Sequence, residues 1–126
     1  MVLSPIAAAS VMTQETGRAE MDSILSQLLR PGFSEETKLA VWLSAAIAPG
    51  KNANQFRLDP CGALMEWSKY GSTVENGNGW EIDHIIPVSA GGTAALGNLQ
   101  ALQWQHNRNK GDGPNSGYCT LSWNGS

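Results

Sequence analysis

The apolar positions near the start of the chain follow a helical period that is interrupted by proline–glycine pairs. Apolar residues recur at helical spacing over residues 20–29, before the first of these pairs. Ser34 then stands where a helix N-cap is expected, and a second helical pattern extends from it to about Ala48. We therefore predict an N-terminal arm and two helices in residues 1–50, packed on the core of a single domain.

The remainder of the chain, residues 51–126, is rich in glycine and predicts shorter elements. Residues 51–58 are polar and predict irregular structure. Residues 59–71 fit either a helix, which would begin at Asp59-Pro60, or a strand over residues 63–67. The pattern leaves these two alternatives open.

A strand, a loop, a second strand and a helix are predicted after this ambiguous segment. Residues 80–86 alternate in polarity as a strand does, and Gly91-Gly92 marks the loop that follows. Residues 98–102 predict a second short strand, and residues 103–110 a helix that Gly111 ends. Together with the N-terminal helices, this order predicts an α+β fold.

Length and charge restrict the classes of function. A chain of 126 residues suits one domain. The formal net charge is −3, which argues against a protein that coats nucleic acid by bulk electrostatic attraction. Any contact with nucleic acid must therefore come from a local basic patch and a bound cation. The sequence has no apolar run long enough to span a bilayer, so we expect no membrane partner.

The two cysteines, Cys61 and Cys119, are too few for a disulfide framework or a four-cysteine zinc site. We expect two buried or half-buried thiols, with a single disulfide between them as the alternative in an oxidising compartment. The apolar start of the chain lacks the basic segment of a secretory signal. The expected location is therefore cytoplasmic.

Asp83 and His84 form the most suggestive pair for chemistry. They stand side by side near the end of the strand predicted over residues 80–86. Cleavage of a phosphodiester needs an activated water and a group that neutralises charge on the phosphoryl and leaving oxygens. A neutral imidazole is a suitable base near pH 7, and a carboxylate is a suitable ligand for a hard cation. The pair alone is more typical of a buried structural pair, and the sequence blocks around it decide in favour of a nuclease site.

Four sequence blocks around this pair, in their order, resemble the HNH endonuclease family. They are Trp80-Glu81-Ile82-Asp83-His84-Ile85-Ile86-Pro87, Gly91-Gly92, Asn98-Leu99-Gln100-Ala101-Leu102 and Asn107-Arg108-Asn109-Lys110-Gly111-Asp112. Upstream, Arg57-Leu58-Asp59-Pro60-Cys61-Gly62 and Tyr70-Gly71 resemble segments of small bacterial and phage HNH proteins. The resemblance implies a ββα-metal finger, which agrees with the predicted strand–loop–strand–helix order.

The resemblance also implies roles for individual residues. Asp83 matches a metal ligand, and His84 matches the general base that activates water. Asn98 matches the middle asparagine, which fixes the loop and orients the histidine by hydrogen bonding. Asn107 matches the second metal ligand, in a variant with asparagine instead of histidine at the last position. His106 stands next to it and is the alternative ligand, or else a surface residue.

The resemblance implies one divalent cation, Mg²⁺ or Mn²⁺, with Zn²⁺ or Ni²⁺ as replacements in crystals. We expect no structural zinc, because the finger lacks the cysteine pairs of many relatives. Hydrophobic packing must then stabilise the finger, and the candidate residues are Trp80, Leu99, Leu102 and Trp104. Arg108 and Lys110 are candidate phosphate contacts, although cations are favoured at a solvated helix end in any case. Arg57 is a weaker candidate.

The leading hypothesis is a DNA endonuclease, with RNA as a possible substrate. One alternative is a toxin or effector nuclease with an immunity partner. Another is a non-catalytic nucleic-acid-binding module with a relic site. Homodimers and an accessory protein are compatible with the sequence.

Overall fold

The structure, a computed structural model, describes residues 32–126, and their main elements are two small antiparallel sheets and two α-helices. In chain order these elements are α1 (Glu35–Leu43), β1 (Ala46–Ile47), β2 (Phe56–Leu58), β3 (Leu64–Glu66), β4 (Trp80–His84), β5 (Leu99–Gln103) and α2 (Trp104–Lys110). The fold is α+β, as the sequence predicts. The helix predicted over residues 20–29 and the N-terminal arm lie outside the described residues.

Helix α1 begins at Glu35, directly after Ser34, but it ends at Leu43 and not at the predicted Ala48. Arg57 explains the early end. Its Nη1 donates to the carbonyl oxygens of Leu43 and Ala45 at 3.1 and 3.0 Å, and so satisfies acceptors that a helix end leaves unpaired. The side chain is therefore committed to the fold, and Arg57 is only 9% exposed. Its predicted role as a phosphate contact is wrong.

The first sheet has the order β1-β2-β3. Strand β2 falls in the segment predicted to be irregular, and β3 selects the strand alternative for residues 63–67. Arg57 faces Met65 across the β2–β3 pair, and both are buried. Strands of three residues are too short for alternation to be recognised, so their pairing decides the structure.

Strands β4 and β5 form a separate two-stranded sheet, and α2 follows β5 directly. Trp80 pairs with Gln103 at one end of this sheet and His84 pairs with Leu99 at the other. The side chain of Gln103 caps α2, because its Oε1 accepts from the backbone N–H groups of Gln105 and His106. The predicted strand–loop–strand–helix order is thus confirmed.

Aromatic packing fills the space between α1 and the sheets. The rings of Trp42 and Trp80 are fully buried, with centroids 5.0 Å apart, and Trp67 lies within 5.8 Å of both. Of the residues expected to brace the finger, Trp80, Leu99 and Leu102 are buried, whereas Trp104 is partly exposed. Among the described residues, no helix has the length and apolar character needed to cross a membrane.

A disulfide between Cys61 and Cys119 ties the C-terminal segment to the turn before β3, with the two Cα atoms 5.5 Å apart. The preferred sequence interpretation, two thiols, is therefore wrong, and the disulfide alternative holds. The pairing joins positions separated by 58 residues, which no local pattern can reveal. It fixes the end of the chain against the same domain that contains the finger.

His106 holds the same segment from the inside of the domain. Its Nε2 accepts from the backbone N–H groups of Thr120 and Leu121, each at 3.0 Å. Because Nε2 accepts, the ring proton must be on Nδ1, which donates to Asp59 Oδ2 at 2.7 Å. His106 is 0% exposed, so it is neither a surface residue nor a partner of Asp83 in binding a metal. Both sequence interpretations of His106 are wrong.

Candidate functional site

A cleft of about 390 Å³ lies where the end of β4, the loop after it and α2 meet. Four of the residues singled out in the sequence line it: Asp83, His84, Asn107 and Arg108. Pro87, Val88 and Asp112 complete much of its wall. Asp83 and His84 are neighbours on β4, yet both reach this cleft at the end of the strand.

Asp83 is buried, and donors from two elements hold its carboxylate. Gln100, its partner across the β4–β5 sheet, donates from Nε2 to Oδ2 at 3.0 Å. Lys110 on α2 lies with its Nζ 3.1 Å from Oδ2 and 3.4 Å from Oδ1. Oδ2 therefore receives two close donors, whereas Oδ1 receives only the longer contact from Lys110 among the described residues.

Lys110 does not lie in solvent. Its side chain is 0% exposed, and Nζ also donates to the backbone oxygen of His84 at 2.9 Å. The ammonium therefore compensates the buried charge of Asp83 and fixes the end of β4. This replaces the sequence prediction that Lys110 contacts phosphates, as well as the alternative of a solvated helix end.

Glu81 is a component of the site that the sequence interpretation missed. It lies on the same face of β4 as Asp83, two positions earlier, and strand periodicity alone could have pointed to it. Its Oε1 accepts from Asn107 Nδ2 at 3.0 Å. Since a carboxylate only accepts, the amide nitrogen of Asn107 must face Glu81. The amide oxygen, which is the atom a hard cation would use, is not the one engaged there.

Arg108 is the exposed basic residue of the cleft. Its Nη2 lies 2.9 Å from Glu81 Oε2, and its side chain is 59% exposed. An ion pair this exposed is weak, so it leaves the guanidinium able to exchange Glu81 for a phosphate. Arg108 is therefore compatible with the phosphate contact that the sequence predicts.

Asn98 fixes the loop that follows His84. Its Oδ1 accepts from the backbone N–H of Ile86 at 2.8 Å, and its Nδ2 donates to the backbone oxygens of Ile86 and Thr93. These bonds bring the two ends of the loop together. They act on the position of His84 through the backbone, two residues away, and not through the imidazole.

Glycine is required at the other side of this loop. A Cβ atom at Gly92 would lie 1.6 Å from the backbone oxygen of Ile86. The close approach brings Gly92 N–H to the backbone oxygen of Pro87 at 2.9 Å. The Gly91-Gly92 pair of the sequence is thus explained in part by a contact between two backbone segments.

A second group of potential ligands lies away from the cleft. Asp59, Cys61 and His106 each offer a ligand atom, and these atoms lie within 4.8 Å of one another. The sulfur of Cys61 is in the disulfide, however, and both ring nitrogens of His106 are engaged by the protein. Asp59 accepts four hydrogen bonds, from the backbone N–H groups of Cys61, Ala63 and Gln103 and from His106. The potential ligand atoms of this group are therefore already engaged in a disulfide or in hydrogen bonds within the protein.

The cleft is the better place for a cation, because Asp83 and Asn107 offer hard oxygen donors from two different elements. His84 lies beside them, as a base near a metal-bound phosphate would. The arrangement thus suits the hydrolysis of a phosphodiester.

Comparison with known proteins agrees with this arrangement. Residues 61–113 match the family model of the HNH endonucleases. This segment runs from the disulfide at Cys61 through β3, β4 and β5 to the end of α2, and it contains every residue that lines the cleft. Searches of curated proteins and of solved structures returned no match. Residues 61–113 are therefore identified as an HNH endonuclease domain, which implies nuclease activity.

Proposed function

We propose that the protein is a metal-dependent endonuclease that hydrolyses phosphodiester bonds of DNA. The observation that carries the proposal is the meeting of Asp83, His84 and Asn107 in one cleft of an HNH domain. Asp83 and Asn107 would hold one divalent cation, Mg²⁺ or Mn²⁺, which when bound stabilises negative charge on the phosphoryl oxygens and the departing 3′ oxygen.

His84 acts as the general base. Its imidazole takes a proton from a water molecule, whose oxygen attacks the phosphorus in line with the P–O3′ bond. That bond breaks, the 3′ oxygen is protonated by solvent, and the products carry a 5′-phosphate and a 3′-hydroxyl. Asn98 holds the loop that follows His84, and Lys110 holds the His84 carbonyl, so the base approaches the phosphate from a fixed backbone.

Arg108 positions the substrate. Its exposed guanidinium lines the cleft and can exchange its ion pair with Glu81 for a pair with a phosphate. The formal net charge of −3 gives no general attraction to nucleic acid. We therefore expect brief contacts over a short stretch of backbone, and not tight non-specific binding.

The test is cleavage of supercoiled plasmid by the purified chain with Mg²⁺ or Mn²⁺, beside a labelled single-stranded RNA. His84→Ala is expected to reduce cleavage by at least about a hundredfold, and a chelator to abolish it. Circular dichroism of the variant shows whether it is folded. Cleavage of the RNA and not of the plasmid would show that the substrate is RNA instead of DNA. No cutting of either substrate by folded wild-type protein would support the relic-site alternative.

The disulfide favours a second candidate, a secreted effector nuclease. Disulfides persist mainly in oxidising compartments, so Cys61–Cys119 argues against the cytoplasmic location expected from the sequence. The effector reading predicts toxicity when the active chain is expressed, relieved by His84→Ala and by a neutralising partner. Alkylation of thiols in the protein recovered from the culture medium tests the premise, because a reduced pair there would remove the support for this candidate.

A further inference from the structure

A line of hydrogen bonds connects the C-terminal segment to Asp83. Gln100 Nε2 donates to Asp83 Oδ2 at 3.0 Å and also to Asn115 Oδ1 at 2.8 Å. The hydroxyl of Tyr118 donates to the same Asn115 oxygen at 3.2 Å. Gln100 therefore stands between the candidate metal ligand and residues that follow the HNH match, which ends at residue 113.

The chemistry of the groups fixes the direction of every bond in this line. The Asp83 carboxylate can only accept, so the Gln100 amide must turn its nitrogen toward it. The second hydrogen of that nitrogen then points at Asn115, which must present its oxygen. Burial raises the pKa of Tyr118, with further contributions from the carboxylates of Asp59 and Asp83, so its hydroxyl stays a donor at neutral pH. Each amide thus has one favoured orientation.

The segment that supplies Asn115 and Tyr118 is firmly held. Tyr118 is 6% exposed, and its backbone oxygen accepts from Asn109 Nδ2 on α2 at 3.3 Å. The next residue, Cys119, is in the disulfide, and His106 binds the two residues after it. These attachments serve no step of the reaction directly. They do hold Asn115 and Tyr118 where they can orient Gln100.

We propose that Gln100 is a positioning residue for Asp83, and that the segment of residues 115–119 is part of the nuclease site because it orients Gln100. The proposal rests on the proposed function in that Asp83 is taken as the metal ligand. Gln100 contacts Oδ2, whereas Lys110 contacts both oxygens, so Oδ1 is the less engaged oxygen and the one that a cation would bind more readily. Without Gln100, Lys110 is the one side chain among the described residues that still restrains the carboxylate, which then rotates and binds the cation less well.

Binding of Mn²⁺ to the full chain without nucleic acid provides the direct test, measured as the loss of the free Mn²⁺ signal in electron paramagnetic resonance. Gln100→Met and Asn115→Leu are expected to weaken Mn²⁺ binding by about tenfold or more, as is usual when a partner of a ligand is removed. Asn115→Asp retains the accepting oxygen and should bind Mn²⁺ no more weakly than the wild type does. Gln55→Met, at an exposed position, is the matched control.

The same variants should shift the Mn²⁺ concentration for half-maximal cleavage by a similar factor. A purely structural role would lower the melting temperature and leave the metal dependence unchanged. Asn115 is exposed, so Asn115→Leu is expected to fold even if Gln100→Met does not.

The outcomes separate the two proposals. Unaltered Mn²⁺ affinity in folded Asn115→Leu and Gln100→Met overturns the positioning role while the nuclease proposal stands. Mn²⁺ binding that depends on Asp83 and Gln100, in a protein that cuts no nucleic acid, supports the positioning role and removes the nuclease proposal. A wild-type chain that binds no Mn²⁺ overturns the positioning role directly.

Discussion

The ammonium of Lys110 lies 3.1 Å from Asp83 Oδ2, and neither side chain is more than 7% exposed. A buried carboxylate without a compensating charge is strongly unfavourable, so the pair is a condition for placing Asp83 in the core of the finger. The same ammonium competes with any divalent cation for the carboxylate. Under the proposed function, Lys110 would therefore stabilise the metal-free site and weaken its affinity for metal.

Lys110→Met is expected to lower the free energy of unfolding by about 3 kcal/mol without metal, because Asp83 is left buried and unpaired. Mn²⁺ should restore more stability to this variant than to the wild type, since the cation then has the carboxylate to itself. Thermal unfolding with and without Mn²⁺ measures both effects, with the exposed Lys69→Met as control. Equal Mn²⁺ stabilisation in variant and wild type would contradict the competition.

Gly92→Ala should disrupt the loop that follows His84. The added Cβ would lie 1.6 Å from the backbone oxygen of Ile86, which Asn98 holds in place, so the backbone must move. We expect a loss of nuclease activity by at least about tenfold, as for displacement of a positioned group. Gly97→Ala is the control in the same loop, because its Cβ would meet no atom within 4 Å. Similar activity of both variants would argue against a fixed loop.

Asp59→Asn tests the buried pair with His106. The Asp59 carboxylate accepts four hydrogen bonds through its two oxygens. In the asparagine variant an NH₂ group would replace one of these oxygens and face N–H groups that also donate. A loss of about 2–4 kcal/mol in the free energy of unfolding is expected from unsatisfied buried groups. Urea denaturation measures it, with the exposed Glu75→Gln as control. A midpoint unchanged from wild type would show that the Asp59 network adds little.

Reduction of the Cys61–Cys119 disulfide should lower the free energy of unfolding by about 2–4 kcal/mol, because the bond closes a long loop in the unfolded chain. Urea denaturation with and without a reductant measures the difference. A Cys61→Ser/Cys119→Ser double variant should resemble the reduced protein and not respond to the reductant. If reductant lowers the stability of the double variant equally, the effect does not come from this bond.

Local sequence determined the finger itself. Alternation over residues 80–86, the glycine-marked loop and a short helical segment define β4, β5 and α2 because each pattern is confined to a few neighbouring residues. The same segment carries Asp83, His84 and Asn107, which line one cleft. The HNH domain could therefore be recognised without the tertiary structure.

Only the tertiary structure decided the environment of these residues. Arg57 ends α1, Lys110 neutralises Asp83, and His106 binds Asp59, although each was expected at a surface or on a ligand. The partners of these residues lie 14, 27 and 47 positions away along the chain, and the disulfide spans 58. A buried charged group needs a partner, and the fold can supply that partner from a distant part of the chain. Periodic patterns of apolar residues do not predict such long-range pairs. The sequence by itself thus determined which groups meet in the cleft, and long-range packing decided what holds them there.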